Sequence, residues 1–213
     1  VISCLILEIM HKQGYVATFV SAISWMSIAL CGFLFVDDAD LLFTAPTTHQ
    51  RGEEIAESAQ RHLDEWEGLI RATGGALVPS KSFWYLVDFQ WDGTDWIYRD
   101  TADMPASISV RNTAGTAYEE LTRKNPNESE VTLGVGLAVD GNAKGQVAKL
   151  KDAVKDFVAK LNSGPMDRND VWKSLQERIG VALSYPLTAT QLTYDEWEKE
   201  IMSPLLQAVL PRA

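Results

Sequence analysis

The sequence predicts an α+β fold in two parts. Residues 1–139 alternate strand-like and helix-like patterns, and residues 140–213 carry helical periods alone. Two observations carry this. Runs of β-branched and aromatic residues bounded by Gly, Asp and Pro fill the first part, and capped amphipathic periods fill the second. The length of 213 residues fits one to two domains and is enough to bury a core.

The elements follow in order. Ile2, Leu5, Ile6, Ile9 and Met10 repeat at helical spacing up to Lys12, and Gln13-Gly14 ends that helix. Residues 15–23 are strand-like. The apolar run 30–36, then Asp37-Asp38, then 39–43 predict two short strands around an acidic turn. Residues 51–72 form a long amphipathic helix, with Ile55, Ala59, His62, Leu63, Trp66, Leu69 and Ile70 on one face, stopped at Gly74-Gly75. Aromatic-rich strands over 82–91 and 96–99 are joined through Asp92-Gly93. Residues 100–130 are mixed, with a strand expected at 107–111. Residues 131–139 read as one strand ended by Asp140-Gly141-Asn142. Three helices follow. The first spans 144–161. The second starts from the N-cap Asp167 and is expected to end near Leu183, before Pro186. The third starts from a Thr193/Glu196 capping box and is kinked at Pro204.

Composition excludes a disordered, collagenous or disulfide-scaffold chain. Hydrophobic residues are 46% and charged residues 23%. Two cysteines, Cys4 and Cys31, lie in apolar stretches and read as buried free thiols of a reducing compartment, cytoplasm or nucleus. Two Cys and three scattered His build no metal cage. The start at Val1, within an apolar run, reads as a piece of a longer protein. The net charge of −10 sits wholly in residues 37–139, with eight basic and eighteen acidic residues. That balance opposes nonspecific polyanion binding and suits cations.

No charged residue occurs from Gln13 to Val36, a length that would span a bilayer. The interspersed Ser, Thr and Gly and the lack of basic flanks favour buried core elements instead, so no membrane partner is expected. There is no third glycine after Gly134-Val135-Gly136 for a dinucleotide loop, no phosphate loop, and no zinc-protease or hydrolase motif. The calcium-like start at Asp140 fails at Lys144 and at Lys151.

Phe35-Val36-Asp37-Asp38 is the informative stretch. Two neighbouring carboxylates at a hairpin tip repel unless a cation neutralises them. Hard oxygen donors of this kind suit Mg2+ or Mn2+ in two-metal nucleotidyl transfer.

This string resembles the aromatic-x-Asp-Asp motif of retroelement reverse transcriptases, and the likeness continues in order. The 51–72 helix and the loop to Lys81 are similar to the family's next motif, in which a lysine lies near the nucleotide phosphates. Thr132-Leu133-Gly134-Val135 resembles the primer-grip hairpin, and the three last helices correspond in position to the thumb. The resemblance implies a partial palm over 1–139 and a helical, thumb-like subdomain over 140–213. It implies catalytic metal ligands Asp37 and Asp38, a phosphate-side Lys81 and primer-grip residues Leu133 and Gly134. It also implies Mg2+ or Mn2+, an RNA or DNA template-primer and dNTP as partners of the intact parent. Family members carry a further catalytic Asp on an earlier palm strand and a Gly-Gln-type motif, together with fingers. None of these is present in this sequence, so no polymerase activity is expected from these residues alone.

Lys144, Lys151 and Lys155 share a helix face that would touch a nucleic-acid backbone in a thumb. Asp152 and Asp156 interrupt that face, which favours a solvated rim. The aromatic cluster from Phe83 to Tyr98 would stack bases or, by preference, pack a core. Asp40 is expected at a strand edge, on the face of Asp38. Two other functions compete: a non-catalytic remnant acting as an interaction module, and a protein anchored in a membrane through residues 13–36.

Overall fold

The computed structural model describes residues 2–35, 38–44 and 52–212. The chain is mixed α and β, with small hairpins and helices, and divides into two compact units, Val1–Asn125 and Pro126–Ala213. The expected joint lay at residue 140. The division falls earlier because the hairpin over residues 130–137 belongs with the long helix that begins at Lys144.

In the first unit, α1 (Ile2–Lys12) buries Ile6 and Met10 and ends at Gly14, whose φ of +86° suits a residue without a Cβ. Within the uncharged run, residues 17–20, 27–30 and 32–35 are strands, and the buried core role expected for it is met only in part, since Val20, Ile23, Trp25, Met26 and Ile28 are exposed. Among the described residues no helix is long and apolar enough to cross a membrane. β1 (Ala17–Val20) pairs antiparallel with β2 (Ser27–Leu30), and β3 (Gly32–Phe35) pairs antiparallel with β4 (Asp38–Leu41). Cys31 separates β2 from β3. It is buried, and its Sγ donates to the Leu7 carbonyl at 3.3 Å. Cys4, expected to be buried, is exposed, because it lies on the outer side of α1.

α2 (Gly52–Ala72) serves two cores. One gathers Ile6, Met10, Cys31 and Trp66, with Leu34 and Leu41 packed on them. The other gathers Ala59, Ile108, Val110 and Leu121. Glu67 is also buried, on the same helix. Its carboxylate accepts from Arg71 Nε at 2.6 Å and Arg111 Nε at 3.2 Å, which ties α2 to the strand over residues 109–111.

A short 3-10 turn, Pro79–Lys81, leads to β5 (Phe83–Tyr85). β6 (Phe89–Trp91) and β7 (Trp96–Tyr98) form a hairpin, as do β8 (Ser109–Arg111) and β9 (Tyr118–Glu120). β5 pairs in parallel with β10 (Thr122–Lys124), a pairing that no short-range pattern announces. The core role expected for the whole aromatic cluster holds only in part. Phe83, Trp84 and Tyr85 are half-buried, whereas Phe89, Trp91 and Trp96 are exposed.

In the second unit, residues 131–139 are not one strand. β11 (Glu130–Thr132) turns at Leu133-Gly134 into β12 (Val135–Leu137). α3 (Lys144–Ser163) follows, and its Leu150, Val154 and Leu161 meet Val171, Ile201 and Leu205 from the later helices in one core. α4 (Arg168–Ser174) is capped by Asp167, whose side chain accepts from the Asp170 amide. A π-helical stretch, Leu175–Gly180, carries it into α5 (Val181–Leu187). Pro186 does not end this helix early. It occupies the last turn, where Ala189 N–H and Thr190 Oγ1 close on its carbonyl. α6 (Tyr194–Glu196) begins with the expected capping box, and a second π-helical stretch, Trp197–Met202, precedes α7 (Ser203–Val209). There Pro204 has no N–H for the Glu200 carbonyl, and Ser203 N–H reaches back to Glu198.

Candidate functional site

The β3–β4 ribbon positions the acids. Its register sets Phe35 opposite Asp38 and Phe33 opposite Asp40, so these four residues share one face. That face is exposed, whereas Leu34 and Leu41 turn inward against Trp66 and Met10. The alternation fixes the ribbon. A slip by one residue would drive the acids into the core.

Asp38 is the first residue of β4 and is exposed. Asp37, the other predicted ligand, lies outside the described residues. Asp40 joins Asp38 on the outward face, as expected from their spacing. Partial burial pushes the Asp40 carboxyl above the ordinary carboxylate range, although the residue is exposed overall, and the charge of Asp38 pushes the same way. Two acids that feel each other in this way gain from a nearby cation. Among the described residues, no group of three or more His, Cys, Asp and Glu side chains is placed to hold a metal ion.

Lys81 closes the 3-10 turn after α2 and is exposed. It belongs to the same compact unit as Asp38. Leu133 and Gly134 belong to the other unit. They form the two-residue turn of the β11–β12 hairpin, with φ of 51° and 82°. Such paired positive values match the right-handed twist of a tight hairpin. Tyr185 Oη donates to the Leu133 carbonyl at 3.0 Å and secures the tip.

The three α3 lysines are not equivalent. Lys144 is exposed in the first turn. Lys151 Nζ lies 3.7 Å from Glu200, and Lys155 Nζ lies 3.7 Å from Asp152. Two of the three therefore meet carboxylates, which reduces what they offer to a phosphate backbone.

Two groups had no role assigned to them from the sequence. Gln146 is buried and its Oε1 accepts the Gly136 amide at 2.6 Å, which fixes the hairpin to α3. His62 stacks on Phe43 at 4.9 Å and meets the edge of Tyr15 at 4.4 Å, and its Nδ1 is buried without a partner. Burial, with the charge of Arg61 second, pushes its pKa down. A polar residue inside an apolar helix stripe was the available signal for His62. Gln146 gave none.

No protein-family model matches the chain, and no curated protein or solved structure matches it significantly.

Proposed function

We propose that this chain is the palm end and thumb of an RNA-directed DNA polymerase of the reverse-transcriptase kind. The observation that carries the proposal is the placement of Asp38. It is exposed, it opens the second strand of an antiparallel ribbon, and Asp40 shares its face. The order of the other parts supports the same reading. A long helix, a lysine-bearing turn, a tight Leu133-Gly134 hairpin and a helical unit follow in sequence.

Asp37 and Asp38 would hold a divalent ion, Mg2+ or Mn2+. The donor chemistry fits, because carboxylate oxygens are hard ligands and Asp38 and Asp40 share one exposed face. When bound, such ions neutralise charge as a nucleotidyl group is transferred. The chain's own residues have narrower tasks. Lys81 would meet nucleotide phosphate. Leu133 and Gly134 would hold a primer end through a rigid turn. Lys144 would touch the RNA or DNA backbone, with Lys151 and Lys155 contributing less because carboxylates stand beside them. The family's further aspartate and fingers have no counterpart in this sequence, so the chain by itself is expected to incorporate no dNTP.

Titrating Mn2+ and Mg2+ into the full chain and into Asp37→Asn and Asp38→Asn variants tests the proposal. Saturable binding below the millimolar range, lost in both variants, supports it. Identical weak binding in all three proteins favours a non-catalytic remnant that acts as an interaction module.

A further inference from the structure

The β6–β7 ribbon carries an exposed aromatic face with no assigned task. Its register sets Phe89 opposite Tyr98 and Trp91 opposite Trp96, so four rings lie on one side. The ring centroids are 4.7 Å apart in the first pair and 5.6 Å apart in the second. Trp91 and Trp96 remain 55% and 68% exposed. Among the described residues, each strand pairs only with the other, so neither a further strand nor a core accounts for the rings.

The surroundings are acidic. From Asp88 to Asp103 inclusive there are five Asp and one Arg. That arginine is already engaged, by Asp88 at 3.1 Å and by the Asp103 carbonyl at 3.2 Å. An electron-rich ring face bordered by carboxylates attracts cations twice over, through the ring quadrupole and through charge. The same chain uses this chemistry internally, where the Arg123 guanidinium lies 5.2 Å from the Trp84 ring centre. A nucleic-acid strand would also stack on the rings, but its phosphates would meet the aspartates.

We propose that this face docks an extended basic peptide segment carrying Arg or Lys at alternate positions. Spacing supports that pattern. Successive ring pairs are two residues apart along the ribbon, about 6.8 Å, which is also the repeat of same-side residues in an extended peptide. A peptide lying along the ribbon therefore sets one cation over each pair. The inference is independent of the polymerase proposal.

The test titrates the full chain with an eight-residue peptide alternating Arg and Ser, followed through the indole N–H resonances of Trp91 and Trp96. A Glu-Ser peptide and an oligothymidylate serve as comparisons. The Arg peptide should shift both indoles saturably, more weakly as salt rises, and the Glu peptide should not. Trp91→Leu and Trp96→Leu should each weaken binding about two- to five-fold. The double variant Asp95→Asn with Asp100→Asn keeps every ring, and it should weaken binding and flatten the salt dependence. Equal binding of both peptides, tighter binding of oligothymidylate, self-association through these indoles, or unmoved indoles would each overturn the proposal.

Discussion

Gln146 Oε1 accepts the Gly136 amide at 2.6 Å within a buried site. This one bond links the first turn of α3 to the strand that follows the Leu133-Gly134 turn. Replacing Gln146 by Leu leaves a buried N–H without a partner, at a cost of about 1–3 kcal/mol. Urea denaturation should show that loss, and amide exchange at Gly136 should quicken.

Leu133 occupies the left-handed region with φ of 51°. A leucine there is disfavoured by about 1–2 kcal/mol, whereas asparagine tolerates the conformation. Leu133→Asn should therefore raise the melting temperature. An unchanged or lower melting temperature would mean that the leucine side chain contributes more than its backbone costs.

Glu67 is buried beneath Arg71 and Arg111. Burial pushes its pKa up, but hydrogen bonds from Arg71, the Arg111 amide and the Arg111 guanidinium outweigh that and hold it below the ordinary range. Its contribution is present above the unfolded carboxylate pKa and is lost as pH falls through the lower folded value. Glu67→Ala should cost about 2–3 kcal/mol, less than a fully buried pair because both arginines retain some solvent. The cost should shrink in acid, which chemical denaturation at several pH values will show.

His62 titrates in a different window. Its folded pKa is depressed by burial, so the unfolded chain takes up a proton first as pH falls. Stability should decline from the ordinary histidine pKa downward, until the folded pKa is passed. His62→Phe, which keeps a ring between Phe43 and Tyr15, should remove that slope. Thermal melts between neutral and mildly acidic pH are the measurement.

Asp40 reports on its neighbour. Asp38→Asn removes one cause of the raised Asp40 pKa, so the carboxyl should titrate at lower pH. Carboxyl NMR of the variant reads this directly, and an unmoved Asp40 would show that burial alone sets its value.

Much of this fold was legible because its signals are local. The Asp167 cap and the Thr193/Glu196 box mark helix starts within four residues, and the structure places both as expected. The acidic ribbon was legible for the same reason, since alternation around Leu34 and Asp38 needs no distant partner. What stayed hidden depends on contacts across the chain. The parallel pairing of β5 with β10 joins Phe83 to Thr122, and nothing near either residue specifies the other. The burial of Glu67 depends in the same way on Arg111, which reaches it from a strand 44 residues further on. The Leu133 turn was concealed from the local pattern, because an apolar residue within a strand-like run carries no turn signature, and only the family resemblance pointed to a hairpin there.

The two π-helical stretches, Leu175–Gly180 and Trp197–Met202, have a consequence for how this chain tolerates length changes. Each wide turn accommodates one surplus residue without putting the flanking helix faces out of phase. Excising one residue from either stretch should tighten it to ordinary α geometry while Val171 and Leu183, or Leu205 and Val209, still face inward. A single-residue deletion elsewhere in these helices would rotate everything beyond it by about 100° and turn its buried side chains toward water.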